Sequence, residues 1–220
     1  MDDTMTRTVP TRDAAADDGS HAIADPCWSA RPTGTAVMLI VTSLVSLAAT
    51  IIIMVERAIL TADPTYVTSC DINPWLSCGR VMQSWQAMTF GFPNPLIGLV
   101  AFPMLITVGA ALLAGGRFAR WFWVLLNIGL VGGLAFAAWL WYAAVYSIGT
   151  LCLYCMVVWA MVIVQTVLVT SRNLQTGALP VGPRIAALAR DLAWPVIVLL
   201  WVLVAASILM EMGLGVIGLG

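Results

Sequence analysis

The chain has 220 residues, of which 61% are hydrophobic and only 10% are charged, and its formal net charge is −1. Soluble domains are typically about 45–50% apolar and about 25% charged, so this composition indicates an integral membrane protein. The low net charge and the single histidine, His21, leave no basic surface for nucleic acid, which excludes a nucleic-acid-binding role.

The N-terminal segment, residues 1–35, is polar and lacks the apolar stretch of a secretory signal. We predict that it is a disordered cytoplasmic tail, with Cys27 near its end as an incidental thiol. All cationic residues in the chain are arginine, which favours a GC-rich coding sequence and a bacterial origin.

Five apolar runs are long enough to cross lipid, which takes roughly 20 residues in a helix. They cover residues 36–55, 96–114, 121–146, 151–170 and 194–210. We therefore predict an all-α membrane protein with a cytoplasmic linker over 172–193 and a fifth transmembrane helix with a short outer tail over 194–220. Gly129 and Gly133 form a GxxxG pattern, which predicts close helix packing.

The arginines indicate how the chain threads the membrane, because cytoplasmic segments carry an excess of them. If the N-terminus is inside, the outer segments hold only Arg57 and Arg80, and the inner segments hold Arg7, Arg12, Arg31, Arg117, Arg120, Arg172, Arg184 and Arg190. This bias predicts a cytoplasmic N-terminus. The loop over 56–95 and the short turn before Cys152 then lie on the outer side.

The outer loop contains one stretch, residues 75–88, that predicts a helix. Five apolar side chains fall roughly on one face of it: Trp75, Val81, Met82, Trp85 and Met88. Such a helix would lie along the membrane surface and cap the bundle.

Four paired cysteines reach the same outer boundary of the membrane. Cys70 and Cys78 lie in the outer loop, and Cys152 and Cys155 form a CxxC at the start of the fourth span. Disulfides persist in the oxidising compartment outside the cytoplasm. The partial positive charge of a helix N-terminus stabilises a thiolate, so this CxxC is typical of a dithiol redox motif.

The cysteines leave more than one interpretation open. Cys70 and Cys78 alone would read as a structural staple of the loop, and an inert membrane scaffold would have the same pattern. Four thiolates could also hold zinc, although their spacing is not that of two CxxC knuckles. Taken together, the two pairs favour a redox relay, because a thiolate attack moves a disulfide from one pair to another.

A redox relay in this chain needs a lipid-soluble electron acceptor. The sequence has no haem, flavin or iron–sulfur motif and no histidine within the spans. A membrane quinone fits, because it accepts two electrons and a dithiol gives two.

The order of these residues resembles the vitamin K epoxide reductase family. The pattern is Cys70, Cys78 and Ser84, then the run NPLIG that begins at Asn94, then the CxxC; "SCDINPWLSCGRVMQS" also resembles the family's loop. The resemblance covers residues 36–171 and implies a four-helix catalytic bundle around a quinone, capped by the cysteine loop. Many bacterial members add a fifth span and a fused thioredoxin-like domain. Here the fifth span is present and no such domain follows before Gly220, which implies a separate thioredoxin-fold (DsbA-like) partner.

The resemblance also implies a role for each matched residue. Cys70 would accept electrons from the partner, Cys78 would relay them to Cys152, and Cys155 would face the quinone. Asn94 would donate a hydrogen bond to a quinone carbonyl, and Ser84 would support the loop or this network. From the residues alone, Asn94 between two prolines also reads as an ordinary turn residue.

One position departs from the family pattern. Animal members have a tyrosine four residues after the second CxxC cysteine, where this chain has Trp159. An indole N–H donates a hydrogen bond but does not ionise as a phenol does, which favours quinone over epoxide reduction.

The sequence therefore predicts a bacterial cytoplasmic-membrane thiol oxidase that reduces a menaquinone, ubiquinone or phylloquinone-type quinone and supports disulfide formation in secreted proteins. Two alternatives are reduction of vitamin K quinone or epoxide as the main activity, and a non-enzymatic four-cysteine metal-binding protein. The disulfide-bond formation protein B type is a further rival, but it carries its CxxC in the first outer loop.

Overall fold

The computed structural model describes residues 33–213 and shows, over these residues, an all-helical protein. Five helices are long and apolar enough to cross a membrane. They are α1 (Thr33–Ala62), α3 (Pro95–Leu113), α4 (Arg120–Tyr142), α5 (Leu153–Gln175) and α6 (Pro183–Met212), and α2 (Cys78–Gln83) is a short helix between the first two. The predicted all-α fold with five spans is confirmed. The predicted disordered tail, Cys27 and residues 214–220 lie outside the described residues.

Three of the helices, α1, α5 and α6, extend well beyond the apolar runs that predict them. A helix of 30 residues such as α1 is about 45 Å long, whereas the hydrocarbon core is about 30 Å thick. The extra turns therefore carry polar residues at the membrane boundary, and α1 continues past Glu56 and Arg57 to Ala62. In the same way, α5 and α6 extend into the predicted linker, which is reduced to residues 176–182.

The first helix is polar on its inner face and apolar on its outer face. The small hydroxyl residues Thr42, Ser43, Ser46 and Thr50 are buried, whereas its exposed positions include valine, leucine and isoleucine. Thr42 and Thr50 each donate to the carbonyl four residues earlier, both at 2.7 Å. Inside the membrane small hydroxyl residues allow helices to approach, while lipid accepts the apolar side chains.

Two glycines of α3 set its close packing on α1. A Cβ at Gly109 would lie 2.7 Å from Cγ1 of Ile40 and 2.9 Å from the carbonyl oxygen of Ala36, and a Cβ at Gly98 would lie 3.1 Å from Oγ1 of Thr50. The predicted packing role of the GxxxG on α4 is wrong. A Cβ at Gly129 or at Gly133 would meet nothing within 4 Å, because both glycines border a cavity.

The outer loop is less helical than predicted. In place of one helix over 75–88, α2 is followed by a 3-10 turn, Trp85–Met88, and extended backbone at Ser84 separates the two. Ser77 caps α2 by accepting a hydrogen bond from the amide of Arg80, which fixes the helix start at Cys78. Trp75 therefore lies outside any helix.

The third span, α4, ends in an unusual turn that leads into the CxxC. After α4 the chain continues as one π-helical segment, Ala143–Ile148, and Gly149 ends it in the left-handed conformation at φ +68°. Residues 150–152 are extended before α5 begins. We call this end of the bundle, formed by residues 63–94 and 149–152, the loop end.

Candidate active site

The loop end holds the first cysteine pair as a disulfide between Cys70 and Cys78. Asn73 turns the chain between them, because its Oδ1 accepts hydrogen bonds from the amides of Trp75 and Leu76, both at 2.9 Å. The amide of Ile72 then donates to the carbonyl of Leu76 at 3.0 Å. These bonds close the eight-residue separation into a compact turn that suits a disulfide.

Asp71, next to Cys70, fastens this turn to the start of α2. Its carboxylate accepts hydrogen bonds from the amide of Thr68 at 3.1 Å and from the amide of Gly79 at 3.3 Å. Burial raises the pKa of Asp71, but hydrogen bonds from Ser77, Thr68 and Gly79 outweigh burial and hold that pKa below its usual value. The ionised side chain therefore stabilises the disulfide-bearing loop.

A backbone pairing joins this loop to the segment before the CxxC. Leu76 and Leu151 form an isolated parallel bridge, in which the amide of Leu151 donates to the carbonyl of Trp75 at 2.8 Å and the amide of Ser77 donates to the carbonyl of Leu151 at 3.0 Å. Cys78 follows one partner of the bridge by two residues, and Cys152 follows the other by one. The pairing therefore sets the two cysteines side by side.

The consequence is direct contact between the two cysteine pairs. The Sγ atoms of Cys78 and Cys152 are 2.9 Å apart, and those of Cys70, Cys78 and Cys152 all lie within 4.8 Å of one another. The exposed fractions of these three residues are only 0–1%. Disulfide exchange needs a thiolate next to a disulfide sulfur. Here the free thiol of Cys152 lies next to Cys78 of the disulfide, in a site shielded from water.

The CxxC itself lies at the start of α5, as predicted. Cys152 is the N-cap residue, and both of its thiols, on Cys152 and Cys155, are free of disulfides. The Cys155 thiol donates a hydrogen bond to Cys152 and, with the amides of Cys155 and Tyr154, lowers the pKa of Cys152 against the opposing effects of burial and of the Glu56 charge. The lowered pKa makes Cys152 a good leaving group when a disulfide to it is broken.

The CxxC also borders a large apolar cavity within the bundle. The cavity has a volume of about 500 Å³, within the range of about 300–1,000 Å³ that is typical of ligand sites. Its wall is mostly aliphatic and aromatic. The sequence-predicted residues that line it are Ser84, Asn94, Cys152, Cys155 and Trp159.

The predicted quinone-side residues differ in how they are held. Nδ2 of Asn94 donates to the carbonyl of Gln86 at 2.6 Å, and its Oδ1 accepts from the amide of Thr89 at 3.2 Å. Ser84 donates to the carbonyl of Val81 at 2.7 Å. Asn94 therefore has one N–H left for a ligand, and the 3-10 turn over 85–88 fixes its orientation.

Four polar residues near the site were missed by the sequence analysis. Arg57, Gln86 and Gln165 line the cavity, and Glu56 is buried against the cysteines. The signal was available for Glu56 and Arg57, because ionisable side chains within a spanning helix are rare and usually functional. The first predicted apolar run stops at residue 55, directly before these two charges, and so leaves both outside the span.

The predicted site residues thus fall into two groups that the fold brings together. Cys70 and Cys78 lie in the loop on one side, and Ser84, Asn94, Cys155 and Trp159 line the cavity on the other. Cys152 belongs to both groups, because it touches Cys78 and also lines the cavity. A path for disulfide exchange therefore leads from the loop to the cavity through one sulfur.

Metal binding is the competing interpretation of clustered cysteines. Cys70, Cys78 and Cys152 are close enough for their sulfurs to share an ion. The first two form a disulfide, and a disulfide sulfur is not the thiolate ligand that zinc requires. In this form the three residues offer only one thiol, which favours redox chemistry.

Comparison with known proteins supports the same chemistry. A search of curated proteins found no match for the chain. The sequence model of the vitamin K epoxide reductase family matches residues 37–170, which is more than half of the chain and includes all four clustered cysteines. This family consists of quinone-dependent thiol oxidoreductases. The chain belongs to the vitamin K epoxide reductase family, and it is an enzyme of this type.

Proposed function

We propose that the protein oxidises the dithiol of an extracytoplasmic thioredoxin-fold protein, passes the electrons to a membrane quinone, and so supports disulfide formation in secreted proteins. The observation that carries the proposal is the 2.9 Å contact between Cys78 and Cys152, which joins the loop disulfide to a cavity-lining CxxC. Family membership supports use of a quinone and a thiol partner.

The first steps take place at the loop. The partner's thiolate attacks the Cys70–Cys78 disulfide, and after the partner leaves in its oxidised form both loop cysteines are thiols. Cys78 then attacks Cys152 of an oxidised CxxC, so that a Cys78–Cys152 bond forms and Cys155 is released as a thiolate. Cys70 resolves this bond by attacking Cys78, which restores the loop disulfide and frees Cys152.

The partner needs access that this conformation does not give. Cys70 is buried, with 1% of its surface exposed, and Tyr154 and Ser69 close over the loop through a hydrogen bond of 2.8 Å between their hydroxyls. We therefore expect partner docking to lift residues 66–71 away from α5. Residues 66–71 bury few apolar side chains, so the free energy needed to open this segment is small.

The cavity provides the quinone site. A bound quinone supplies a two-electron acceptor for the Cys152–Cys155 dithiol. Asn94 would donate its remaining N–H to a quinone oxygen, Arg57 contributes further N–H donors to the wall, and Ser84 and Trp159 also line it. Ser84 supports the loop, because its hydroxyl donates to the carbonyl of Val81. The aliphatic remainder of the wall suits an isoprenoid chain and keeps water from the reacting sulfurs.

The orientation completes the proposal. Eight arginines on one side of the spans and two on the other favour a cytoplasmic N-terminus in a bacterial cytoplasmic membrane. The loop end then faces the oxidising side, where a thioredoxin-fold partner and nascent secreted proteins are found.

Turnover of the full-length protein in detergent tests the proposal directly. A reduced DsbA-like protein would serve as the donor and a short-chain ubiquinone analogue as the acceptor, with quinone absorbance as the readout. We expect loss of at least about a hundredfold in rate when Cys152 and Cys155 are both changed to Ser, because none of the described residues then presents a thiol to the cavity. Cys27→Ser is the control and should keep full activity. Turnover that persists in the double variant would eliminate the proposal.

A further inference from the structure

Glu56 is a buried carboxylate on the face of α1 that packs against the cysteines. Ile53 and Leu60, three residues before and four residues after it, belong to the same apolar cluster as Cys70 and Cys152. This helical spacing puts Glu56 between them on one face. Only 5% of its surface is exposed.

The carboxylate is held through one oxygen and leaves the other free. Oε1 accepts a hydrogen bond of 2.9 Å from the amide of Ser69, the residue before Cys70. Oε2 is buried and has no hydrogen-bond partner among the described residues. A buried polar atom without a partner destabilises the folded protein, so its presence here needs a reason.

The cysteine relay has a need that this oxygen can meet. Each exchange converts an attacking thiol into a thiolate, and so a proton must leave the sulfur. The sulfurs of Cys70, Cys78 and Cys152 are almost entirely shielded from water, which removes the usual acceptor. A group inside the cluster must therefore take the proton.

Most of the other ionisable groups around the cluster have hydrogen-bond partners, and Cys155 is itself one of the exchanging sulfurs. Asp71 uses its carboxylate to accept amide hydrogen bonds, which keep it ionised. Arg57 donates to the carbonyl of Met82 at 2.8 Å, and Arg80 donates to a loop carbonyl. Tyr154 is hydrogen-bonded to Ser69, and Tyr66 packs at the edge of the cluster.

We propose that Glu56 is the proton acceptor for exchange between the two cysteine pairs. It is hydrogen-bonded to the amide of Ser69, next to Cys70, and its charge acts on Cys152, so it is near both end sulfurs of the exchange. The inference rests on the relay proposed above and adds a residue to it.

The step balances without any outside reagent. In the Cys78–Cys152 form, the proton on Sγ of Cys70 passes to the Glu56 carboxylate, and the Cys70 thiolate attacks Sγ of Cys78. The Cys70–Cys78 bond forms and the Cys78–Cys152 bond breaks, with its electron pair on Cys152. Cys152 leaves as a thiolate and takes the proton back from Glu56.

The first measurement is the pH dependence of turnover in the full-length protein with a reduced DsbA-like protein as the donor and a short-chain ubiquinone analogue as the acceptor. Glu56→Gln keeps an acceptor for Ser69 but cannot take a proton. We expect its rate to fall about tenfold or more and to rise steadily with pH, because hydroxide must replace the carboxylate. Glu211→Gln, at an exposed position of α6, is the matched control and should follow the parent protein.

The second measurement does not depend on turnover. In a Cys27→Ser, Cys155→Ser background with the loop disulfide formed, Cys152 is the free thiol, and its modification by methyl methanethiosulfonate is followed by mass spectrometry against pH. Because the negative charge of Glu56 disfavours the Cys152 thiolate, Glu56→Gln should react at lower pH than the parent. A purely electrostatic role would then predict faster turnover in Glu56→Gln, whereas a proton acceptor predicts slower turnover.

The outcomes separate the inference from the proposed function. Slower turnover of Glu56→Gln, together with modification of its Cys152 at lower pH, supports Glu56 as the proton acceptor. Glu56→Asp keeps a carboxylate and should restore part of the rate, which tests the inference even if Glu56→Gln folds poorly. Equal turnover in Glu56→Gln and the parent would overturn the inference and leave the relay intact. If the parent protein shows no turnover, the proposed function is wrong. If, in addition, Cys152 is modified with the same pH dependence in Glu56→Gln and in the parent, the inference about Glu56 is wrong as well.

Discussion

Leu76 and Leu151 pair through their backbones as one isolated parallel bridge, 75 residues apart in the chain. The bridge contains the only backbone hydrogen bonds between the loop and the CxxC segment that the described residues record, and Cys78 and Cys152 follow it directly. The position of the reacting sulfurs is therefore set by main-chain atoms rather than by the cysteines themselves.

Removing one hydrogen bond of this bridge should disturb the sulfur contact. Leu151→Pro deletes the N–H that donates to the carbonyl of Trp75, so we expect a loss of about 1–3 kcal/mol in stability and slower transfer from loop to CxxC. Thermal unfolding and turnover with a DsbA-like donor measure the two effects. Leu153→Pro is the matched control, because Leu153 is the first residue of α5, where proline is tolerated. Equal loss in both variants would contradict the role of the bridge.

The close packing of α1 and α3 makes a separate prediction about stability. Gly109→Ala places a Cβ 2.7 Å from a side-chain carbon of Ile40 and 2.9 Å from the backbone oxygen of Ala36, so the helices must separate, at a cost of about 1–3 kcal/mol. Gly132→Ala meets nothing within 4 Å and should be neutral or stabilising by up to about 1 kcal/mol. Unfolding by denaturant in detergent compares them. Similar stability of the two variants would show that α1 and α3 do not pack as described.

The lowered pKa of Asp71 predicts how acid affects the stability of the protein. Its pKa is lower in the folded protein than its ordinary value of about 3.8, so its contribution to stability is present above that value and is lost as the pH falls through the folded pKa. Asp71→Asn should therefore be less stable than the parent at neutral pH, and the difference should shrink in acid. Unfolding temperatures measured from neutral pH down into acid test this prediction, and Asp191→Asn, at an exposed position, is the control. A difference that persists at the lowest pH would argue against the ionised carboxylate as its source.

The proposed hydrogen bond from Asn94 to the quinone makes a prediction about quinone binding. Asn94→Ala removes the remaining cavity-facing N–H, so the KM for a short-chain ubiquinone analogue should rise about twofold to tenfold, as expected for one hydrogen bond. Thr107→Ala on the exposed face of α3 is the control, because its hydroxyl bonds only within the helix. Unchanged KM in Asn94→Ala would assign Asn94 to the turn over 86–94 alone, where it binds the backbone of Gln86 and Thr89.

Much of the fold was readable from the sequence, because lipid imposes a simple rule on it. A spanning segment must satisfy its backbone internally and expose apolar side chains, so five apolar runs sufficed to predict five helices. The order of Cys70, Cys78, Asn94 and Cys152 likewise sufficed to predict the family, which the match over residues 37–170 confirms.

The sequence by itself determined the composition of the site: two cysteine pairs, of which the second is a CxxC at a helix start, and an asparagine. Only the tertiary structure decided which sulfurs meet and which side chains accompany them. The 2.9 Å contact of Cys78 with Cys152 depends on a backbone bridge between distant segments, and the burial of Glu56 depends on the rotation of α1 against the loop. Local patterns fix neither geometry, because both follow from contacts between segments that are far apart in the chain.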